Sequence, residues 1–218
     1  MPELLPLIRG RLRDHPDAPA FVAEVLRIHR RYAGEVVAAN RLCPHLRDVD
    51  TGFGTFCVML DPGPELDVEE AIEAIRAAKS QVIHVVYPCA RPAPSAFERF
   101  SAAIARALKQ AFSSPPVMAT FHPDLSGDPT GPYRLVGMLR RAPDPFVQLI
   151  PEGLHQGGTV FAADPGSAEH VEDGDPAIRN FEKLKDGGVD RLMAVLAEIH
   201  ADRARSYAPY LEAFKQPA

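Results

Sequence analysis

His122 ends a run of β-forming residues and is followed by Pro123. An imidazole placed there can give or take a proton near neutral pH, ligate a metal, or be satisfied by nearby backbone. Arg140, Arg141 and Arg179 offer planar forks of donors that match a carboxylate or phosphate, and each could equally pair with Asp144, Glu152 or Glu182. Arg179 has an added merit, because it stands in the first turn of an expected helix, where free backbone N–H groups favour an anion. Cys43 lies near His45 in the run Asn40 to His45, an arrangement that raises a nucleophilic thiolate. Its place after a helix C-terminus, where the partial charge is negative, argues instead for a protonated thiol that packs. The eight histidines form no HxxxH or HxH pair with an acidic partner, so the spacing gives a metal site little support, and a metalloprotein using His122 stands as a further alternative. A metalloprotein would need His122 to meet two more ligands among Cys43, His45, Cys89, Asp61 and Glu152. Glycine-rich nucleotide fingerprints and the nucleophile elbow GxSxG are absent, which leaves any cofactor unidentified.

These residues need elements to hold them, and hydrophobic spacing supplies the elements. Val22, Val25, Ile28, Tyr32, Val36 and Ala39 recur three or four apart and predict a helix over 19–40. A strand over 55–60 follows, then a helix over 67–79 capped by Asp67, with Glu70 positioned to close a capping box. The cycle repeats with a strand over 82–87, a helix opened by Ser95 with Glu98 completing its box, and a strand over 117–121. After a loop with a short apolar piece near 135–139 comes a fourth strand, 146–150, a candidate for antiparallel pairing. Residues 153–174 lack periodicity and suggest a mobile loop or lid. Asp175-Pro176 opens a helix that Gly187-Gly188 closes, and a last helix runs toward Tyr207, to be kinked or stopped by Pro209.

The pattern predicts one α/β (or α+β) domain over 1–218, with residues 1–17 as an N-terminal arm. Its sheet would be roughly four-stranded, mostly parallel and covered by helices. Asp61-Pro62, Tyr87-Pro88 and His122-Pro123 each place a polar residue before a proline at a strand's carboxyl end. In open α/β sheets that edge is where ligands bind. Composition excludes several classes. With 24 basic against 29 acidic residues, dispersed, nothing suggests nucleic acid or an anionic membrane surface. No apolar run reaches the roughly 20 residues of a membrane span. Three cysteines without framework spacing fit a reducing, cytoplasmic compartment. The sequence sets no oligomeric state.

Asn40-x-x-Cys43-Pro44, Phe121-His122-Pro123, Arg141-x-Pro143-x-Pro145 and Arg179-Asn180 occur in an order that resembles the bacterial family catalogued as domain of unknown function 1415 (DUF1415), over about 21–196. The resemblance implies that His122, Arg141, Arg179 and Asn180 form a shared rim, and it brings no assigned activity. The usual pattern has Arg-Ser-Pro-Tyr-Pro and a strand with a histidine and an Arg-Glu pair; here Ala142, Asp144, Gln148 and Pro151 stand in those places, with Glu152 kept. Gln148 can still donate a hydrogen bond. The expectation is an enzyme of small-molecule metabolism that binds an anionic substrate. In it Arg141 and Arg179 clamp, His122 serves as general acid or base, and Asn180 and Gln148 orient, with Asn40 and Cys43 beside them. The alternative is a non-catalytic metabolite- or partner-binding protein. Mutual geometry separates the two, since in the enzyme His122 and the arginines converge on one pocket and in the alternative they diverge or are saturated.

Overall fold

The computed structural model describes residues 6–43, 54–63, 65–78, 80, 82–151 and 175–215. The four expected strands form as Thr55–Met59 (β2), Ile83–Val86 (β3), Val117–Phe121 (β4) and Phe146–Ile150 (β5). A fifth, Leu7–Arg9 (β1), lies in the stretch read from sequence as an arm; three residues are too few to show a period. Sheet order is β1-β2-β3-β5-β4. Strands β1, β2 and β3 are parallel, and β5 runs antiparallel to both β3 and β4. Thus β4 points the same way as the first three, and β5 is inserted head-down between β3 and β4.

Strand alternation sends alternate side chains to opposite layers. Cys57, Met59, Ile83, Val85, Tyr87, Val147 and Leu149 pack with helices α2 (Val68–Ala77) and α3 (Pro94–Ala111). Phe56, Val58, Val86 and Phe146 pack with α1 (Ala18–Arg31), α4 (Pro132–Leu139), α5 (Pro176–Leu184) and α6 (Gly188–Ala213). The result is a single α/β domain of three layers with a mixed sheet in the middle, parallel from β1 to β3 and antiparallel around β5, and helices bury both of its faces. Among the described residues no helix is long and apolar enough to cross a membrane.

Local chemistry departs from expectation at three places. Asp67 caps α2 by accepting from the N–H groups of Glu69 and Glu70, but the Glu70 carboxylate accepts from Gly10 N–H at 2.9 Å instead of closing the box, and so ties the end of β1 to α2. Helix α3 starts at Pro94 with Ala93 before it and no side-chain cap, because proline's fixed φ suits a first turn. Pro209 sits inside α6 without ending it. The turn beyond it is held by apolar contact, with Tyr210 and Phe214 both packed on Phe21 at ring-centroid distances of 5.4 and 5.3 Å. Helix α1 passes without a break into a π-helical segment, Tyr32–Ala38, a geometry often found at functional sites. Helices α1 and α6 are clasped by Asp202, which accepts from Arg27 at 2.8 and 3.1 Å and from Arg31 at 2.6 Å.

Helix α4 approaches the loop before it so closely that Gly137 leaves no room for a side chain. A Cβ there would lie 1.9 Å from the Ser126 carbonyl oxygen. At Gly131, whose backbone is extended, a Cβ would meet nothing within 4 Å. Gly137→Ala should therefore destabilise the fold by about 2–4 kcal/mol through forced backbone movement, while Gly131→Ala stays within about 0.5 kcal/mol of wild type. Urea unfolding of both variants checks the contrast.

Candidate functional site at the carboxyl edge of the sheet

Because β2, β3 and β4 point the same way, Asp61-Pro62, Tyr87-Pro88 and His122-Pro123 emerge on one edge. The reversed strand β5 adds a fourth member, since its amino end, Asp144-Pro145, comes to that same edge. Tyr87 N–H donates to the Pro145 carbonyl at 3.0 Å, which joins β3 and β5 there.

Asp144 is fully buried and accepts from three side chains. Arg203 of α6 donates to Oδ1 through Nε at 2.7 Å, and its Nη2 lies 2.6 Å from the same oxygen as an ion-pair contact. His29 of α1 and Tyr207 of α6 both reach Oδ2 at 3.0 Å. Arg203 Nη2 also donates to the Pro88 carbonyl at 2.8 Å, and its guanidinium lies 4.5 Å from the centroid of the Tyr207 ring. Burial by itself raises a carboxyl pKa, but the Arg203 charge and the His29 hydrogen bond outweigh it and hold Asp144 at about 2. Burial and the nearby Asp144 charge push the Tyr207 phenol well above its ordinary range, so it remains a donor.

His122 is 2 % exposed, and both ring nitrogens are engaged by backbone. Asp124 N–H donates to Nδ1 at 3.0 Å, which leaves Nε2–H to donate to the Pro92 carbonyl at 2.9 Å. The ring therefore pins the β3–α3 loop to the β4–α4 loop. Arg141 is used similarly, with Nε donating to the Leu125 carbonyl at 2.8 Å and Nη2 reaching Gly127 O at 3.4 Å.

The remaining sequence-derived residues fall into two groups on the β4 side. Asn180 of α5 donates to the Leu42 carbonyl at 3.1 Å and Lys183 to the Arg41 carbonyl at 3.1 Å, so the Arg179-Asn180 helix seats directly on the chain that carries Asn40 and Cys43. Asn40 itself caps the π-helical segment by donating to Val36 O at 2.8 Å. Gln148 faces His84 across β5 and β3, with Nε2 2.9 Å from His84 Nε2. Burial, with the neighbouring His29, pushes His84 down to about 3, so its ring is neutral and accepts from the Gln148 amide. Ala119, Phe121 and Gln148 share one side of β4 and β5 and are only half-buried. Phe121 stacks on Phe146 at 4.3 Å, and the Arg140 guanidinium lies 5.9 Å from the Phe121 centroid. Arg140 is half-buried and makes no side-chain hydrogen bond or ion pair among the described residues. Burial lowers its pKa, an effect partly offset by Tyr32, whose hydroxyl donates to Leu139 O at 3.0 Å. His45, Glu152 and the 153–174 segment lie outside the described residues.

Asp144, His29, Arg203 and Tyr207 were not singled out as a site in the sequence. One signal was present, since Asp144-Pro145 repeats the polar-then-proline pattern of the other strand ends. Among the described residues no group of three His, Cys, Asp or Glu side chains is arranged to hold a metal ion. Compared with known proteins, the chain matches no family model, no curated protein and no solved structure.

Two outcomes follow. A carboxyl held at about 2 in the folded state stabilises the protein fully above its unfolded value of 3.8, and that contribution is lost as pH falls through about 2. Asp144→Asn should cost about 3–5 kcal/mol at pH 7 by leaving Arg203 uncompensated, and the gap from wild type should narrow between pH 4 and 2 in urea titrations. For His122, nitrogen-15 NMR should show the Nε2–H tautomer with Nδ1 unprotonated.

Proposed function

We propose that the protein binds a small molecule carrying a carboxylate or phosphate on the half-open β4–β5 face, with Arg140 as the anchor. The observation that carries this reading is Arg140 itself. A guanidinium partly withdrawn from water, resting on an aromatic ring and using none of its side-chain donors among the described residues, is a charge prepared for an incoming anion. Phe121 and Phe146 form an apolar floor beneath it, and the neutral Gln148–His84 pair supplies polar groups farther along the same face. Binding pockets of this kind combine apolar walls with a few convergent polar groups. The π-helical segment reaches the neighbour of Arg140, since Tyr32 OH donates to the Leu139 carbonyl at 3.0 Å.

Two contacts between segments that carry the resemblance to domain of unknown function 1415 favour this region, the first through Arg140, the neighbour of motif residue Arg141. Arg140 O accepts from His122 N–H at 3.1 Å, and Asn180 holds the Leu42 carbonyl next to Cys43. The arginine proposed as anchor is Arg140, since Arg141 is occupied by the carbonyls of Leu125 and Gly127. With His122 saturated on both nitrogens and His84 neutral, recognition of a metabolite is better supported than turnover with His122 as acid or base.

Thermal unfolding against a panel of carboxylates and phosphate esters tests this. A ligand at a hundred times its dissociation constant adds about 2.7 kcal/mol, which at this chain length raises the midpoint by about 5–10 °C. The expected result is a shift with one anion class that Arg140→Gln abolishes. Arg141→Gln should melt lower yet keep the shift. An unresponsive wild type, or a shift that survives Arg140→Gln, would refute the reading.

A further inference from the structure

Strand β4 ends the sheet on one side, and its outer edge is open. The Tyr87 N–H bond to the Pro145 carbonyl shows that positions 145, 147 and 149 turn their backbone groups toward β3. Antiparallel alternation then turns Phe146, Gln148 and Ile150 toward β4, where they meet Phe121, Ala119 and Val117. Met118 and Thr120, between these, point their N–H and C=O groups away from the sheet. Among the described residues no backbone or side-chain group bonds them. The open stretch has defined ends. Pro116 before it has no N–H to offer. Beyond it His122 gives its N–H to the Arg140 carbonyl at 3.1 Å and takes the Leu125 N–H on its own carbonyl at 3.3 Å.

Native proteins blunt such edges with short strands, charges or proline. At the other edge, β1 is three residues long and ends in Arg9. Strand β4 lacks these protections. Its five residues, Val117–Phe121, are apolar apart from one hydroxyl, and all are half-buried where those of β3 are buried. No charge lies within it to repel an identical strand or to select an oppositely charged one. Its open groups are also matched to themselves. A second copy turned about a two-fold axis at Ala119 sets Met118 opposite Thr120 of that copy, and each such pair exchanges N–H and C=O in both directions. Every open donor and acceptor of Met118 and Thr120 is then used. The side chains agree with this register. On one face Val117 meets Phe121 of the second copy, and the small Ala119 meets its own equivalent where the strands come nearest; on the other face Met118 meets Thr120.

We propose that the chain forms a symmetric dimer through antiparallel pairing of β4 with β4 of a second copy, which joins two five-stranded sheets into one continuous sheet. The half-open face of β4 and β5 continues across the axis, and Phe121 of each copy packs on Val117 of the other. This pairing does not rest on a ligand at Arg140.

Sedimentation equilibrium of the full chain without ligand, from low to high micromolar concentration, tests the proposal. Wild type should sediment at twice the chain mass. Thr120→Pro removes an outward donor and leaves the β4–β5 bonds in place, so it should keep the wild-type far-ultraviolet circular dichroism and dimerise at least about tenfold more weakly. In a non-hydrogen-bonded antiparallel pair the Cα atoms lie about 4.5 Å apart, within reach of a disulfide. Ala119→Cys should therefore cross-link into a covalent dimer under mild oxidant. Val117→Cys, which keeps the same native Cys43, Cys57 and Cys89 but faces Phe121 in this register, should not. If Thr120→Pro fails to fold, the contrast between positions 119 and 117 decides alone. A monomer at every concentration would overturn the proposal and leave the edge to a strand of another protein. A dimer that is undiminished in Thr120→Pro, or that fails to cross-link through position 119, would equally overturn it.

Discussion

A carboxylate with no exposure to water is the constraint on which the upper end of this molecule depends. Removing Asp144 from water costs several kcal/mol unless charge and hydrogen bonds replace the lost hydration. The chain meets that requirement from three directions: His29 comes from α1, Arg203 and Tyr207 from α6, and the carboxylate itself opens β5. Arg203 then carries the constraint onward to the Pro88 carbonyl and hence to the loop after β3. One buried charge thus fixes the relative position of two helices and two strand ends, an arrangement a purely apolar contact would specify less sharply.

The reversed strand β5 makes this possible. Had it been parallel like its neighbours, Asp144 would emerge at the opposite edge, away from Pro88 and His122. Inserted antiparallel, it splits the carboxyl edge into two halves. On the β4 side lies an apolar, half-open face with Phe121, Gln148 and the uncommitted Arg140. On the β3 side stands the pinned Pro88–Pro92 loop with the exposed Arg91. His122, between them, serves both halves through backbone, holding Pro92 O and Asp124 N–H with its ring and Arg140 O with its own N–H.

Much of the fold could be read from spacing, because alternation and the 3.6-residue stripe are local signals. Four strands, the Asp67 and Asp175 caps and the shared proline-marked edge emerge as expected. What escaped is non-local. The three-residue β1 exists because β2 and the Glu70 carboxylate receive it, and α6 continues past Pro209 because Phe21 holds the turn beyond. Site residues divide the same way. The sequence pointed to the His122 neighbourhood through its rim position, but it could not show that both nitrogens are taken by backbone, or that Arg140 is left open while its neighbour Arg141 binds carbonyls. His29 lay on an apolar helical stripe that reads as core, and Arg203 is separated from Asp144 by 59 positions, so only the assembled structure joins them.

The most direct test of this account is a double-mutant cycle on Asp144 and Arg203, measured by urea unfolding at pH 7. Asp144→Asn and Arg203→Met should each destabilise by about 3–5 kcal/mol because each leaves a buried partner uncompensated. Combined, they should cost at least about 2 kcal/mol less than the sum of the two, since the second change removes the group that the first one stranded. Losses that add within about 0.5 kcal/mol would show that the two side chains act independently and that the buried carboxylate does not organise the edge.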